Sequence, residues 1–557
     1  MNNNRGCAVQ VVLSGAFAAA CSLVALFLPL YRWIDNYGIA MMVGGIFGED
    51  RSCMYLHPLF CRWIGWLSGI LPSADVFSLV SRLLVGLAIW TTSYLILRSN
   101  RSVVFRATAH MGLTAVVFLM ELYSANYTVW TSFFCCVGGL CLSAAMRKDG
   151  GSAGRRALGC GFVFAACLYR IQGVLVCLPF LLLDMGLRAL EAPGERLNRR
   201  FVRYCSAAAP ALGIVLIMGL TMAQTYCFGE YAREYAYNEA RMSVVDYPMM
   251  EYEDLAQIPE GVSRNDYECV RHWILMDTDV VTTGYMEAIY EAGGVRGSLT
   301  DLRGNLSMLA EVVTGSWRDV LLTGLALASA LAVFLKRGWN PKLRAGLSVL
   351  GALMIAWYFA ALGRFPERVM YCILLGIMTC ILSGELYCNG SGRRGVAMAL
   401  SAVILASFFV AMPATVGSLG SLQSALTART PGAAAQTDVE PEAMWIWDIG
   451  SSYASPMLAD FVQGTGKLPS RETVNHHLVT GDVTYGQRVF REWMDRVRID
   501  NPMKALLERE QTYVAAPEER MRYVLTWLEE HYDSAVEAVQ EGTLNGTPVW
   551  RFVSSAG

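Results

Sequence analysis

The run Cys7 to Leu30 (CAVQVVLSGAFAAACSLVALFLPL) and the segment that leaves it, Trp33-Ile34-Asp35-Asn36-Tyr37-Gly38, decide the fold. Ala18-Ala19-Ala20-Cys21 resembles a lipoprotein cleavage site, but the apolar stretch continues through Leu23 to Leu30. It therefore reaches the ~20 residues needed to cross a bilayer and reads as an uncleaved first helix. A carboxylate then stands at the mouth of a membrane span. Charge beside hydrocarbon costs free energy that packing does not select for, so such a residue is a functional hypothesis by default.

Working outward, the composition agrees. Of 557 residues, 54% are hydrophobic and 17% charged, with a mean hydropathy of +0.37; a soluble domain carries about 25% charged residues. Further spans are expected near Val76 to Leu97, Ala107 to Tyr123, Val129 to Met146, Ala157 to Tyr169, Gly173 to Leu187, Ala207 to Phe228, Val320 to Leu335, Ala345 to Leu362, Val369 to Leu386 and Val396 to Val416, about eleven helices with the first. Many of the 16 cysteines, such as Cys135, Cys136 and Cys177, lie inside these runs and read as small buried core residues. The 45 basic and 47 acidic residues nearly cancel, which leaves no domain-scale basic surface for nucleic acid.

Charge orients the spans. Basic residues recur in every second connection: Arg98, Arg101 and Arg106; Arg147, Lys148, Arg155 and Arg156; Arg196, Arg199, Arg200 and Arg203; Lys336, Arg337, Lys342 and Arg344; Arg393 and Arg394. The positive-inside rule puts these connections and the amino terminus in the cytoplasm and, with an odd helix count, the carboxyl terminus outside. The expected location is the plasma membrane. The polar mass then falls outside: 31–75, 229–317 and everything after Gly417.

In the first outer loop, Ile39, Met42, Val43 and Ile46, then Phe60, Trp63, Ile64, Leu67 and Leu71, have helical spacing and suggest helices lying flat in the interface. In the second, Asn265-Asp266 is expected to cap a helix over Tyr267 to Leu275. A linker is expected over 418–440, after a transmembrane region over 1–417. An α/β domain over 441–557 follows, with strands at Met444 to Ile449 and Thr512 to Ala515, helices at Tyr485 to Arg498 and Pro517 to His531, and a hairpin turned at Asn545-Gly546.

An acidic residue directly after the first helix, Tyr55-Leu56-His57-Pro58-Leu59 further along the same loop, about eleven spans and an outer carboxyl-terminal domain together resemble the GT-C class of membrane glycosyltransferases. The chain is similar also to bacterial multipass proteins related to that class. The resemblance is topological over most of the chain, and its motifs are short. It implies transfer of a sugar from a polyprenyl-phosphate carrier to an envelope glycan or lipid acceptor on the extracytoplasmic face. It also implies that Asp35 is the general base or acceptor-orienting group, and that His57 orients the acceptor. Stronger versions of the pattern have adjacent acidic residues, whereas Asn36 follows Asp35. Glu49-Asp50 is left as a source of a second carboxylate, and a metal-assisted variant is put in doubt; no other cofactor is implied.

A leaving phosphate needs cations, and Arg170, Arg364, Arg368 and Arg82 stand near span ends where a guanidinium can hold phosphate oxygens. Each residue also has a structural reading. Asp35 serves as a helix cap or a partner of Arg32, Glu49-Asp50 as a solvated turn, His57 as a backbone hydrogen-bonder, and the arginines as snorkelling side chains. Glu121, Tyr123, Asn126 and Tyr127 either line a sugar pocket or anchor a helix end. His476-His477 are adjacent, share no helix face and read as surface residues without a metal site. A lipid-linked-sugar flippase or transporter, or a silent scaffold for surface-polymer assembly, fits the same topology. The scaffold needs none of Asp35, Arg364 or Arg368.

Overall fold

Apolar stretches of about 20 residues satisfy their backbone polar groups internally by forming helices, and the chain does so at almost every expected position. The computed structural model describes residues 2–27, 34–99, 101–122, 126–146, 152–191, 197–295, 297–387, 443–459, 465–481, 484–532, 535–544 and 546–554. The helices are α1 (Asn2–Phe27), α2 (Ile34–Gly44), α3 (Pro58–Ile70), α4 (Val76–Leu97), α5 (Val103–Val116), α6 (Tyr127–Ala145), α7 (Ser152–Tyr169), α8 (Ile171–Glu191) and α9 (Leu197–Tyr226). After them come α10 (Ala232–Val245), α11 (Arg264–Arg271), α12 (Thr283–Gly293), α13 (Leu302–Thr314), α14 (Trp317–Phe334), α15 (Trp339–Ala361) and α16 (Glu367–Tyr387).

Among the described residues seven helices, α4, α6, α8, α9, α14, α15 and α16, are long and apolar enough to cross a membrane. The protein is a multipass α-helical membrane protein. Three further expected spans fall on α1, α5 and α7. The π-helix Val117–Leu122 extends α5. The last expected span, Val396 to Val416, and the expected linker lie outside the described residues, as do Arg32 and the side chains of Glu121 and Tyr123.

Helix α6 is buried along its whole length and forms the axis of the bundle. A Cβ on Gly138 would stand 2.9 Å from the Gly159 carbonyl of α7, so the glycine pair lets two backbones meet. One polar knot ties this core. Asp184 of α8 accepts from Arg188 Nε at 3.0 Å, Ser143 Oγ of α6 at 2.7 Å and Ser383 Oγ of α16 at 2.6 Å, and pairs with Arg344 of α15.

The loops over 31–75 and 229–317 and the carboxyl-terminal domain keep the label outer from their expected side, and the first of these loops departs in part from expectation. Helix α3 leaves Trp63, Trp66 and Ile70 exposed, as an interfacial helix should. Helix α2 does not lie open: residues from Asn36 to Val43 are buried, packed against α3 and α4 and touched by the outer domain, where Tyr37 Oη donates to Lys467 O at 3.3 Å. In the second outer loop the helix begins at Arg264 behind a Ser263 cap. Ser263 and Asp266 exchange backbone and side-chain bonds as a capping box, which moves the cap two residues ahead of Asn265.

The outer domain contains β1 (Met444–Trp447), β2 (His477–Val479), β3 (Thr512–Ala515), β4 (Val536–Leu544) and β5 (Thr547–Ser554), with α17 (Arg471–Asn475), α18 (Arg488–Val497), α19 (Pro502–Glu508) and α20 (Glu518–His531). Its sheet runs β2-β1-β3-β5-β4, parallel for β2, β1 and β3 and antiparallel thereafter. Trp447, Trp493 and Trp527 are its largest buried side chains. His477, expected at the surface, is buried on β2, where Nδ1 accepts from Trp447 Nε1 at 3.1 Å. Burial and the neighbouring His476 push its pKa down to about 3, so it is a neutral core residue.

Both outer loops clamp this domain. Asp75 N donates to Gly466 O at 2.9 Å, Asn265 Nδ2 to Tyr523 O at 3.0 Å, and Trp527 Nε1 to Asp277 Oδ2 at 2.8 Å. The domain therefore sits directly over α2 and the loop that carries α10.

Candidate active site

Asp35 occupies the first turn of α2, partly buried, at the point where the chain enters the first outer loop. A carboxylate there complements the positive end of the helix. The next residue explains the local geometry. Asn36 is buried, and its Oδ1 accepts from Tyr127 N at 3.2 Å, which pins the start of α2 to the start of α6. The Asn126 side chain caps α6 by accepting from Thr128 N at 2.8 Å.

Tyr127 is the hub of the cluster. Its ring lies 5.2 Å from the Arg170 guanidinium carbon, and Arg170 Nη1 donates to Tyr127 Oη at 2.8 Å and to Thr128 Oγ1 at 3.0 Å. Asp35, Arg170 and Arg368 all lie within electrostatic reach of this phenol. Arg170 sits between α7 and α8, and Arg368 in the first turn of α16. Arg170 thus contacts the ring directly, while Asp35 and Arg368, from two other segments remote in sequence, act on its hydroxyl through space. Among the described residues neither arginine forms an ion pair, and the side-chain bonds of Arg170 go to neutral hydroxyls.

The second outer loop supplies a further cation that sequence reasoning missed. Arg241 of α10 is 3% exposed, and Nη2 donates to Tyr55 Oη at 2.8 Å and Asn238 Oδ1 at 2.9 Å. Tyr55 in turn donates to Asn238 Oδ1 at 2.8 Å. Burial opposes the charge of Arg241, but Tyr55, Asp246, Tyr237 and Asp35 outweigh it and raise the pKa above its ordinary value. Burial, with Asp35 among the contributors, likewise raises the Tyr55 phenol, which stays protonated. The signal available in sequence was Tyr237-Asn238-Glu239-Ala240-Arg241, a distinctive run with no motif to interpret it.

Other expected site residues are engaged elsewhere. Glu49 pairs with Arg471 at 2.7 Å and is 79% exposed. Asp50 lies 3.7 Å from Arg488, receives the Tyr231 hydroxyl at 3.3 Å and the Ser52 amide at 2.8 Å, and its own amide donates to Glu492 at 2.9 Å. Glu49 and Asp50 dock the outer domain instead of completing a carboxylate pair with Asp35. His57 is the N-cap of α3: Nδ1 accepts from Leu59 N at 3.2 Å, Nε2 meets Met218 O at 3.2 Å, and the ring is fully buried. Burial lowers its pKa, and both ring nitrogens meet backbone groups, as the structural reading of this residue expects. Arg364 pairs with Asp246 at 2.9 Å and lies over Tyr247 at 5.3 Å, at the edge of the cluster through the Asp246–Arg241 attraction.

Among the described residues Asp35 belongs to no metal-ligating group of three. The one such group, Asp266, Glu530 and His531, joins α11 to α20 and is internally bonded: His531 Nε2 meets Asp266 Oδ1 at 2.8 Å and Ser263 Oγ donates to Glu530 Oε2 at 2.6 Å. A cavity of about 580 Å³ lies between α5, α6, α14 and α16, lined by Phe105, Leu140, Leu325 and Leu375 and reaching Lys336 and Glu385. On α16 the cavity wall runs from Leu375, 7 residues or roughly 10 Å from Arg368, to Glu385, 17 residues or roughly 25 Å from it.

No family model matches the chain, and no curated protein matches it. Solved structures do resemble it. The oligosaccharyltransferase of Archaeoglobus fulgidus in its apo form is similar over 94% of this chain and 71% of its own, at 10% identity and a TM-score of 0.41. ArnT of Cupriavidus metallidurans bound to undecaprenyl phosphate is similar over 97% of each chain, at 13% identity and a TM-score of 0.34. The archaeal oligosaccharyltransferase AglB, in complex with an inhibitory peptide and a dolichol-phosphate, gives 94% and 71% coverage, 11% identity and a TM-score of 0.35. The functional reading rests on the cluster itself.

Proposed function

We propose that the protein is a membrane glycosyltransferase that moves a sugar from a polyprenyl-phosphate carrier to an envelope glycan or lipid acceptor, with Asp35 as general base. The observation that carries this is the convergence of Asp35, Arg170 and Arg368 on Tyr127, with both arginines free of carboxylate partners among the described residues. An acceptor hydroxyl loses its proton to the Asp35 carboxylate as its oxygen attacks the anomeric carbon. The bond from that carbon to the phosphate oxygen breaks, and the phosphate keeps the electron pair. Arg170 and Arg368 stabilise the charge that develops there. The outer domain lies above the reacting groups, and α3 presents its tryptophans to the interface.

The reading places the cluster and the outer domain on the extracytoplasmic face. Cys205 and Cys227 are both exposed, and 22 residues, roughly 33 Å of helix, separate them. In intact cells a membrane-impermeant maleimide is expected to label Cys227 and spare Cys205; the reverse pattern overturns the orientation.

The enzymatic test follows transfer of labelled sugar from polyprenyl-phosphate donors in matched membranes. Loss of a general base costs about 10²–10⁴-fold, and Asp35→Asn should fall by that amount. Equal transfer by wild type and variant removes Asp35 from the reaction, and no transfer by wild type removes the enzyme reading.

A further inference from the structure

Arg241 is a buried cation whose hydrogen bonds are only partly made. A guanidinium offers five N–H donors, and the two bonds from Nη2 go to neutral oxygens, those of Tyr55 and Asn238. Nε and Nη1 are buried, and among the described residues they have no partner. The surrounding carboxylates do not supply one. Asp246 is paired with Arg364 at 2.9 Å, and Asp35 acts on Arg241 only through space. A buried donor without an acceptor costs free energy, and Nε and Nη1 have none, which makes the arrangement one that an anion's oxygens complete.

The walls of this position come from two outer segments. Trp273 lies under the guanidinium, with the ring centre 5.6 Å from its carbon, and holds a left-handed backbone at φ 62°. Non-glycine residues in that region are held by their surroundings and cluster at ligand sites. The holding group is the outer domain. Gly481 (φ +69°) abuts Trp273 and Gly486 (φ +74°) abuts the Tyr237 ring, each so closely that a Cβ would collide. Tyr55, Tyr237 and Trp273 are each partly exposed.

We infer that Arg241, walled by Trp273, Tyr237 and the outer-domain glycines, is an anion receptor that takes a phosphate-type oxyanion through its own donors, beside the Arg170–Arg368 pair. The inference rests on the transferase reading for its setting and gives the outer domain a part in the site. Two sources supply that chemistry: the headgroup of the lipid carrier and a phosphate in solution.

The test titrates full-length protein in phosphatidylcholine nanodiscs with undecaprenyl phosphate and, separately, with inorganic phosphate. It compares wild type, Arg241→Gln, Arg241→Lys and Arg170→Gln. Arg241→Gln is expected to weaken binding of one probe at least 10-fold, and Arg241→Lys to weaken it less, since charge remains. Its unfolding midpoint without ligand should match or exceed that of wild type, because a partly unsatisfied buried charge has gone. Loss confined to undecaprenyl phosphate assigns the receptor to the carrier; loss of inorganic phosphate assigns it to a soluble anion. If Arg170→Gln loses undecaprenyl phosphate while both Arg241 variants bind each probe as wild type does, the receptor fails and the carrier reading stands. If wild type binds only inorganic phosphate and Arg241→Gln loses it, the receptor stands and the carrier reading fails. Binding of neither probe by wild type overturns the receptor.

Discussion

Two groups of charges sit near opposite ends of helix α8, and they are built in opposite ways. Asp184 is saturated: Arg188, Arg344, Ser143 and Ser383 all bond to it, and four helices meet there. Arg170, just ahead of α8 and 14 residues or roughly 21 Å from Asp184, donates to two neutral hydroxyls, while Arg368 and Arg241 likewise lack carboxylate partners among the described residues. The same residue types therefore do different work. Where opposite charges and hydroxyls close on each other, the ions hold helices together. Where cations gather near a ring without a carboxylate closing on them, donors are left for a ligand to meet, as the proposed function requires.

The sharpest way to break this contrast is at the saturated end. Removing one partner of a buried pair leaves an uncompensated charge, and Arg344→Met should destabilise the protein by about 3–5 kcal/mol, read as thermal unfolding in nanodiscs. A variant as stable as wild type would mean that the knot is not structural. Next comes the joint between α2 and α6. Asn36→Ala leaves the Tyr127 amide without that bond and should cost about 1–3 kcal/mol. Because it loosens Asp35 relative to Tyr127, sugar transfer should fall while affinity for undecaprenyl phosphate holds; an unchanged transfer rate would show that this joint does not position the base.

Smaller effects test the ion pairs that help dock the outer domain. His531, facing Asp266 with Glu530 and Asp277 nearby, has a raised pKa, chiefly through its bond to Asp266. Its contribution is full below the ordinary value of 6.5 and lost as pH rises through the raised one. Glu49, facing Arg471 with Arg51 and Arg496 nearby, has a lowered pKa, chiefly through its bond to Arg471. Its contribution is full above 4.5 and lost as pH falls through the lowered value. Docking is thus expected to be tightest between those two values, measured as hydrogen-exchange protection of α11 and α17; monotonic protection across that window contradicts the assignment. The smallest effect is Arg471→Ala, about 0–1 kcal/mol and shrinking with salt, since both partners are substantially exposed.

What was legible in the sequence follows from how local each signal is. Spans such as Val76 to Leu97 announce themselves because a bilayer imposes both length and apolarity on one contiguous segment, and α4 has those very bounds. Strand β3 and helix α20 were legible through short-range pattern. Asp35 drew attention through its position alone, and Arg170 and Arg368 through charge at span ends. The remainder was hidden by distance along the chain. Tyr55 and Asn238 meet across 183 residues, and Arg471 reaches Glu49 across 422. No local pattern distinguishes an exposed carboxylate awaiting a substrate from one awaiting an arginine in a later domain. The backbone-bonding reading of His57 was legible, because His-Pro before an apolar run is the signature of an N-cap with proline in the first turn, which is its use in α3.

The most direct measurement takes one variant, Arg368→Met, in nanodiscs and records both its thermal unfolding and its affinity for undecaprenyl phosphate in the same preparation. The account predicts a midpoint equal to or above that of wild type together with binding weakened by at least 10-fold, a loss of about 1.4 kcal/mol or more. A lowered midpoint with unchanged binding would show that the outer arginine, like Arg344, serves the fold, and would contradict the account.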